Sequence, residues 1–374
     1  MRWQANLGDY LKPKSGYLLV RRSFRIDGGA ETAVTSYCEK FTAQGASVTL
    51  LCENWSGTLP EYVQLVRVRL YGPRLIRLWL FWFLFRKQVR RLGRTCLVQS
   101  HEYLLDCDVL RLGDGLHTVW FGQLCRESGF LRRFALKLSL FHCSKMWMER
   151  KSLNSECLRQ VIVNSEYIAR QVEKYYPGLK NKILIERNQI PESFFDATES
   201  KRIQSSLLKV IFVGSGFRRK GLRAVFEALS QINSRKNYQL TIYGVDKNID
   251  HYRRLAEDFG LIQVEFCGVV KLTENIYRQH DVLVLPSFYD PFPNAIAEAL
   301  VCGLFVICSS TTGGVDFSHE PEIYIADDPD SIQRSLIHIE TLFRSKIQKS
   351  RELFYTKIFA SRYFLKSQKS EKMV

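Results

Sequence analysis

Apolar residues in the first half of the chain fall into short runs that are separated by longer polar and helix-forming segments. Five of these runs have the length of a strand and lie at residues 17–20, 47–52, 96–99, 160–164 and 182–186. Between the first two runs, Val34, Cys38 and Phe41 stand at helical spacing. A strand, a glycine-containing loop, a helix and a second strand in this order are typical of the start of a doubly wound α/β domain.

The same alternation begins again after a polar segment at residues 188–206, which contains Pro191 and has the composition of an interdomain linker. Beyond this segment, strand-length apolar runs lie at residues 210–214, 239–243, 264–266, 282–285 and 305–308. The pattern therefore predicts two α/β domains of similar size, over residues 1–190 and 191–349.

Two loops of the second half carry residues that suit a diphosphate and a sugar. Arg219 and Lys220 follow a strand that ends in glycines, and their charges would neutralise a diphosphate. Asp290 follows a later strand, and Asn294 and Glu298, four residues apart, share one face of the next helix. Asp290 could equally cap that helix and Glu298 could be a solvated charge, and spacing alone does not separate these interpretations.

The segment 290–307 resembles the donor-site signature of family 4 glycosyltransferases. In that family two acidic residues stand eight positions apart, as Asp290 and Glu298 do here. The resemblance implies that Asp290 contacts the donor sugar and that Glu298 contacts the nucleotide ribose. Most of the family has Glu at the first position. The Asp-Pro-Phe-x-Asn form, which includes Phe292 and Asn294, resembles the branch that builds lipopolysaccharide core.

Three other segments extend the resemblance along the chain. Arg219 and Lys220, with the glycine after them, are similar to the motif that binds the donor diphosphate. Gly28 and Gly29 resemble the loop that faces this diphosphate from the first domain. Residues 108–120 resemble an Asp-Val-x-Arg-x-Gly-Asp-Gly-x-His segment of the lipopolysaccharide-core transferases.

Asp114 and His117 in this last segment are the candidate catalytic residues. A carboxylate there would orient or deprotonate an acceptor hydroxyl, and an imidazole would bind a donor-sugar hydroxyl or buffer the proton. The alternative is that Asp114 lies in an ordinary turn and that His117 is a packed histidine.

The resemblance also has implications for fold and reaction. It implies the GT-B fold, with two Rossmann-like doubly wound domains that face a central cleft, and a C-terminal helix at 350–374 that completes the first domain. The implied reaction transfers a hexose, with UDP-glucose as the leading donor, and retains the anomeric configuration. The implied acceptor is a lipid-linked or phosphorylated glycan such as lipopolysaccharide core. Neither a metal nor another cofactor is expected, because cationic side chains and helix starts stabilise the leaving diphosphate.

Net charge and two amphipathic segments indicate a membrane surface. Lys and Arg total 54 against 38 Asp and Glu, which leaves a formal charge of +16. The apolar run 78–85 is rich in Trp and Phe and is followed by cations, of which Lys87, Arg90, Arg91 and Arg94 fall on one helical face. A second basic and apolar stretch covers residues 130–151. Both stretches could instead be core helices with basic outer faces.

No secretory signal and no apolar run of the ~20 residues that cross a bilayer is evident in the sequence. We therefore expect a cytoplasmic protein that binds peripherally to the inner membrane. The ten cysteines have no zinc-ligand spacing. Two other functions remain open, a basic protein that binds nucleic acid or membrane without transferase activity, and a sugar-nucleotide epimerase. For the transferase, nucleic acid is not an expected partner, since no basic stripe interleaved with stacking aromatics is clear.

Overall fold

The computed structural model describes residues 16–23, 29–55, 62–92, 95–195, 207–233 and 237–344. The chain forms two compact units, here called unit 1 and unit 2, which divide between Asn188 and Gln189. Gly28, Arg94 and the helix predicted at 350–374 lie outside the described residues.

Unit 1 is built on a seven-stranded parallel sheet in the order β3-β2-β1-β4-β5-β6-β7. Its strands are β1 (Gly16–Val20), β2 (Ser47–Cys52), β3 (Val63–Arg67), β4 (Leu97–Ser100), β5 (Val109–Leu112), β6 (Gln160–Val163) and β7 (Ile183–Ile185). Strands β1, β4 and β5 are buried at every position. Burial on both faces of the sheet explains why β1 is a nearly continuous apolar run, whereas β4 and β5 also bury the polar side chains of Gln99, Ser100 and Arg111.

Six helices connect these strands. They are α1 (Gly29–Ala43), α2 (Arg74–Leu92), α3 (His117–Arg126), α4 (Phe130–Lys137), α5 (Leu140–Leu153) and α6 (Glu166–Tyr175). The apolar face of α1 packs on the sheet through Val34, Cys38 and Phe41, as their spacing predicted. Ser165 caps α6, since its hydroxyl accepts a hydrogen bond from the Ile168 amide.

Unit 2 repeats the architecture with a six-stranded parallel sheet in the order β10-β9-β8-β11-β12-β13. The strands are β8 (Leu208–Val213), β9 (Tyr238–Tyr243), β10 (Val264–Gly268), β11 (Val282–Leu285), β12 (Phe305–Cys308) and β13 (Ile323–Ile325). The helices are α7 (Phe217–Lys220), α8 (Leu222–Ser230), α9 (Ile249–Asp258), α10 (Glu274–Arg278), α11 (Asn294–Val301) and α12 (Pro329–Arg344).

Each unit therefore contains the doubly wound parallel sheet that the sequence predicted. All ten predicted strands are present, with ends that differ from the prediction by at most two residues. The prediction missed β3, β5 and β13, which are short or interrupted by polar residues. In each sheet the first three strands are laid down toward one edge and the later strands toward the other. This switch in strand order, between β1 and β4 in unit 1 and between β8 and β11 in unit 2, leaves a crevice at the carboxyl ends of those strands.

The two amphipathic segments of unit 1 have different surroundings. One face of α2 is buried, through Leu78, Phe81, Trp82, Phe85 and Val89. The core interpretation is therefore correct for that face, while Lys87, Arg90 and Arg91 are exposed. Helix α4 differs because none of its residues is buried. Phe130 and Leu131 are 83% and 82% exposed, and Phe134 and Leu138 follow at 61% and 65%.

No helix within the described ranges is both long enough and apolar enough to cross a membrane.

Candidate active site

The crevice of unit 2 lies between β8 and β11, and the predicted donor residues are found beside it. Arg219 and Lys220 belong to the short helix α7, which follows β8, while Asp290 lies in the loop that follows β11. Because the carboxyl ends of neighbouring parallel strands meet at one edge of a sheet, residues 70 positions apart become neighbours.

Lys220 and Asp290 form a buried ion pair at this point. The Lys220 ammonium donates a hydrogen bond to Oδ2 of Asp290, and Nη1 of Arg219 lies 3.5 Å from the same oxygen. Burial alone would raise the pKa of Asp290, but Lys220 and Arg219 outweigh it and hold this pKa below its usual value. Burial lowers the pKa of Lys220, and the Asp290 carboxylate opposes that effect. The site thus holds a carboxylate and two cations in fixed positions.

Glycines allow the loops of this site to approach one another closely. Gly221, which ends α7, has a φ of +82°, and a Cβ there would lie 2.2 Å from the carbonyl oxygen of Pro286. Gly214 has a φ of +144°, and a Cβ there would lie 2.8 Å from the Lys220 side chain. A larger residue at Gly221 would displace α7 from the β11 loop, and one at Gly214 would displace the Lys220 side chain.

Glu298 lies on α11 with Asn294, as the four-residue spacing predicted, and both side chains are half-buried. The Tyr277 hydroxyl donates a hydrogen bond of 2.6 Å to Oε2 of Glu298. Burial raises the pKa of Glu298, and the hydrogen bond from Tyr277 lowers it. Tyr277 was not identified from the sequence, because nothing in its local pattern distinguishes it from a core aromatic residue.

The other predicted donor residues have different surroundings. Phe292 is 6% exposed and packs against the ring of Phe317, with ring centroids 6.0 Å apart. This burial favours a core role for the Phe292 side chain. Gly29 is the first residue of α1. Backbone amides at such a start are free to bind an anion.

The crevice of unit 1 lies between β1 and β4, and charged residues surround it. Asp114 follows β5, and its side chain is 75% exposed. Its carboxylate accepts a hydrogen bond of 3.3 Å from Nη1 of Arg21, which follows β1. Arg21 also lies 3.7 Å from Glu102, which follows β4. Asp114 therefore stands beside the crevice and is accessible to solvent.

His117 begins α3 and forms a pair with a histidine that the sequence did not reveal. Its Nε2 lies 3.2 Å from Nδ1 of His142, on α5. Burial, together with Lys145, His142 and Arg74, lowers the pKa of His117 to about 3. The imidazole is therefore neutral near pH 7, which suits a hydrogen bond to a sugar hydroxyl and argues against the predicted alternative of proton buffering.

A buried carboxylate fixes the start of α3. Glu149 is fully buried and accepts hydrogen bonds from the Thr118 amide at 3.2 Å and from its hydroxyl at 2.6 Å. The hydroxyls of Tyr103 and Tyr176 lie 2.9 Å and 3.0 Å from the same carboxylate. The Tyr103 oxygen also accepts a hydrogen bond of 3.1 Å from the His117 amide. The backbone of His117 is thus held by buried groups on neighbouring elements.

A metal site was not expected, and Asp106 and Asp108, two carboxylates in an Asp-x-Asp pattern that could hold a metal, have structural partners instead. Asp106 accepts a hydrogen bond of 2.5 Å from Arg86, and Asp108 accepts one of 3.0 Å from the Val98 amide. In the part of the chain that the structure describes, no group of three His, Cys, Asp or Glu side chains could hold a metal ion. Metal-free catalysis stays a prediction.

Comparisons with known families agree with this geometry. The family described as "Glycosyltransferase Family 4" matches residues 27–185, and that described as "Glycosyl transferases group 1" matches residues 208–341. The first match covers most of unit 1 and the second most of the described part of unit 2.

Individual relatives give the same result. The glycosyltransferase MJ1607 of Methanocaldococcus jannaschii is 29% identical over 340 residues, which cover 82% of this chain and 84% of the relative. The lipopolysaccharide glucosyltransferase WaaG of Escherichia coli is 22% identical over 323 residues, which cover 80% of each protein.

Solved structures extend the similarity to the fold. A crystal structure of WaaG matches with a TM-score of 0.76 and 18% identity, over 95% of this chain and 98% of that one. Anabaena HepE, crystallised in complex with UDP-glucose, matches with a TM-score of 0.66 and 13% identity, over 96% of this chain and 98% of that one. With two parallel-sheet units and both domain families, the chain belongs to the GT-B glycosyltransferases of family 4 type.

Proposed function

We propose that the protein transfers glucose from UDP-glucose to a phosphorylated glycan on a membrane lipid, such as lipopolysaccharide core, with retention of the anomeric configuration. The observation that carries the proposal is the arrangement in unit 2, where Arg219, Lys220 and Asp290 lie together at the crevice. The names of two relatives support the choice of substrates, since WaaG is a lipopolysaccharide glucosyltransferase and HepE was crystallised with UDP-glucose.

The residues of unit 2 have the chemistry to bind the donor. Arg219 and Lys220 would pair with the diphosphate, and Asp290, which they hold ionised, would accept hydrogen bonds from sugar hydroxyls. Tyr277 holds one oxygen of Glu298 and leaves the other for the ribose hydroxyls. As the glycosidic bond breaks, negative charge grows on the leaving UDP, and the two cations are already in place to stabilise it.

The residues of unit 1 suit the sugar and the acceptor. The neutral His117 imidazole would hold a donor hydroxyl in place, because it can both donate and accept a hydrogen bond. The exposed Asp114 carboxylate would orient the attacking acceptor hydroxyl and accept its hydrogen bond. Orientation of the two reactants is then the main contribution of this unit to the rate.

Helix α4 suits a membrane surface at the cytoplasmic side of the inner membrane. Phe130, Leu131 and Phe134 expose their apolar side chains, while Arg132 and Lys137 on the same helix are also exposed. Exposed aromatic and cationic residues on one short helix favour the headgroup region of a bilayer with anionic lipids. Each cation near such a surface contributes about 1 kcal/mol. The excess of basic residues over the whole chain acts in the same direction.

A calorimetric screen tests the donor site. UDP, GDP, ADP and their glucose conjugates are titrated into the wild type, the Glu298→Gln variant and the Glu257→Gln variant, whose substitution is on an exposed position of α9. We expect saturable binding of UDP and UDP-glucose that is weakened by Glu298→Gln alone. Binding of none of these nucleotides by the folded wild type would overturn the proposal.

Product analysis tests the reaction. With UDP-glucose and a phosphorylated lipid-linked core glycan, we expect a new α-linked glucose by NMR and release of UDP. Conversion of UDP-glucose to another sugar nucleotide without acceptor would show an epimerase. Salt-sensitive retention on nucleic acid, without nucleotide-sugar binding, would show a nucleic-acid-binding protein.

Vesicle sedimentation tests the membrane surface. We expect the wild type to sediment with anionic vesicles at low salt but not with neutral vesicles. The double variant Phe130→Ser/Phe134→Ser should lose most of this binding, whereas Ile262→Ser, on an equally exposed apolar residue of unit 2, should retain it. Equal recovery on both kinds of vesicle would refute the proposed attraction to anionic lipid.

A further inference from the structure

We propose that His142 is a positioning residue that fixes the orientation and the tautomer of the His117 imidazole during glycosyl transfer. The inference rests on the proposed function, in which His117 binds the donor sugar. The observation behind it is the contact between Nε2 of His117 and Nδ1 of His142, at 3.2 Å.

This contact couples the protons of the two rings. One of the two nitrogens must donate and the other must accept, so the proton on His142 determines which nitrogen of His117 carries its own proton. The remaining nitrogen of His117, Nδ1, then has the opposite role toward any ligand. Because the two facing nitrogens must take opposite roles, the tautomer of His117 changes only together with that of His142, whereas an unpaired neutral imidazole alternates between its two tautomers independently.

The surroundings of His142 indicate that its nitrogen has this purpose. The ring is 8% exposed and lies among the rings of Phe121, Phe141 and Trp120, with centroids 5.0, 5.4 and 5.7 Å away. Phenylalanine would fill such an aromatic cluster without the cost of burying a polar nitrogen. The hydrogen bond to His117 compensates for that cost.

The backbone and the ring of His117 are held by different groups, so the role of His142 can be separated from folding. Tyr103 and Glu149 fix the first turn of α3 through backbone amides. The ring stacks on Trp120, with centroids 5.2 Å apart and planes 30° from parallel. Loss of the hydrogen bond with His142 would therefore leave the position of α3 unchanged and free the polar edge of the His117 ring.

Two substitutions separate hydrogen bonding from packing. His142→Phe keeps an aromatic ring and removes the nitrogen, while His142→Asn places an amide near the position of Nδ1 and removes the ring. The same two changes at His251, which is exposed on α9 of unit 2, provide matched controls.

The first measurement is the turnover of UDP-glucose by these variants, followed as glucose transfer. We expect His142→Phe to lower kcat about 10-fold or more, because misorientation of one contact to the reacting sugar has effects of this size. KM for UDP-glucose should change less than about threefold, since unit 2 supplies most of the donor contacts. His142→Asn should recover a large part of the lost kcat although it packs less well. Wild-type kcat in His142→Phe, or equal losses in both variants, would overturn the inference.

The second measurement does not depend on activity. Side-chain ¹⁵N shifts of His117, assigned with the His117→Gln variant, report which ring nitrogen is protonated. We expect one tautomer in the wild type and in His142→Asn, and a mixture in His142→Phe. Unchanged shifts in His142→Phe would overturn the inference. If the wild type transfers no sugar, the proposed function fails, and these shifts still decide whether His142 fixes the His117 tautomer.

Discussion

The buried pair of Lys220 and Asp290 allows a quantitative test of the geometry of unit 2. The perturbations are Lys220→Met and Asp290→Asn, each of which removes one charge with little change in volume, and the double variant. The two side chains are only 10% and 11% exposed, so neither charge is well solvated when its partner is removed. Removing one member of such a pair costs about 3–5 kcal/mol in unfolding free energy when no other partner is present.

Arg219 makes the two single variants unequal. In Lys220→Met, the Asp290 carboxylate retains Arg219 at 3.5 Å, and we expect a loss of about 2 kcal/mol. In Asp290→Asn, two neighbouring cations lose their shared carboxylate, and we expect a loss of about 3 kcal/mol. The double variant leaves no unpaired buried charge from the ion pair, so its loss should fall short of the sum by about 1–3 kcal/mol.

The assay must separate the two units, since a protein of this kind does not unfold in one step. All six tryptophans precede residue 148, so tryptophan fluorescence reports the unfolding of unit 1. Circular dichroism reports both units. We expect the variants to shift a urea transition that is seen by circular dichroism and to leave the fluorescence transition unchanged. Asp250→Asn is the control, because Asp250 is 82% exposed and its pair with Arg253 should be worth less than about 1 kcal/mol. Additive losses within about 0.5 kcal/mol would refute the reasoning.

Three further predictions concern single residues. Gly221→Ala should destabilise unit 2 by about 2 kcal/mol more than Gly303→Ala, measured by urea unfolding, because both backbones are left-handed but only Gly221 has an atom within 4 Å of the added Cβ. Similar losses would contradict this. Tyr277→Phe should weaken UDP binding about 10-fold by calorimetry, most strongly at low pH, because loss of the hydrogen bond raises the pKa of Glu298 further. Unchanged affinity at all pH values would exclude the contact. The lowered pKa of His117 contributes stability that is present above pH 6.5 and is lost as the pH falls toward 3, by up to about 1.4 kcal/mol per pH unit. His117→Gln should therefore flatten the pH dependence of the tryptophan-monitored transition between pH 6.5 and 4.5, and an unchanged slope would show that His117 does not titrate there.

The strands that were predicted from the sequence are those whose residues form a recognisable apolar run. Strand β5 was missed because Arg111 interrupts its apolar run. The structure shows why a buried arginine is tolerated there, since its Nη1 lies 3.1 Å from the Tyr37 hydroxyl and its Nη2 lies 2.9 Å from Asn188. Both partners lie more than 70 positions away in the chain. Local periodicity contains no information about such partners.

In the candidate site, too, features within one segment could be predicted, whereas contacts between distant segments could not. Asp290 and Glu298 were predicted as donor residues because both lie in one short segment that resembles a family signature. The pairing of Asp290 with Lys220 and of His117 with His142 joins separate segments, and sequence alone did not predict it. His142 was instead included in a basic, apolar stretch at 130–151, which the structure divides into α4, exposed along its length, and α5, which faces α3.

The two crevices differ in how firmly their charges are held, although the strand order around them is the same. In unit 2, Lys220 and Asp290 are buried, so their positions are set before any donor arrives and little reorganisation is needed. In unit 1, Asp114 is largely exposed, and an exposed ion pair such as that with Arg21 contributes less than about 1 kcal/mol. A ligand hydroxyl can therefore displace Arg21 from Asp114 at small cost, whereas displacing Lys220 from Asp290 requires a ligand that brings its own negative charge. A nucleoside diphosphate sugar meets this requirement with its diphosphate, and a neutral sugar does not.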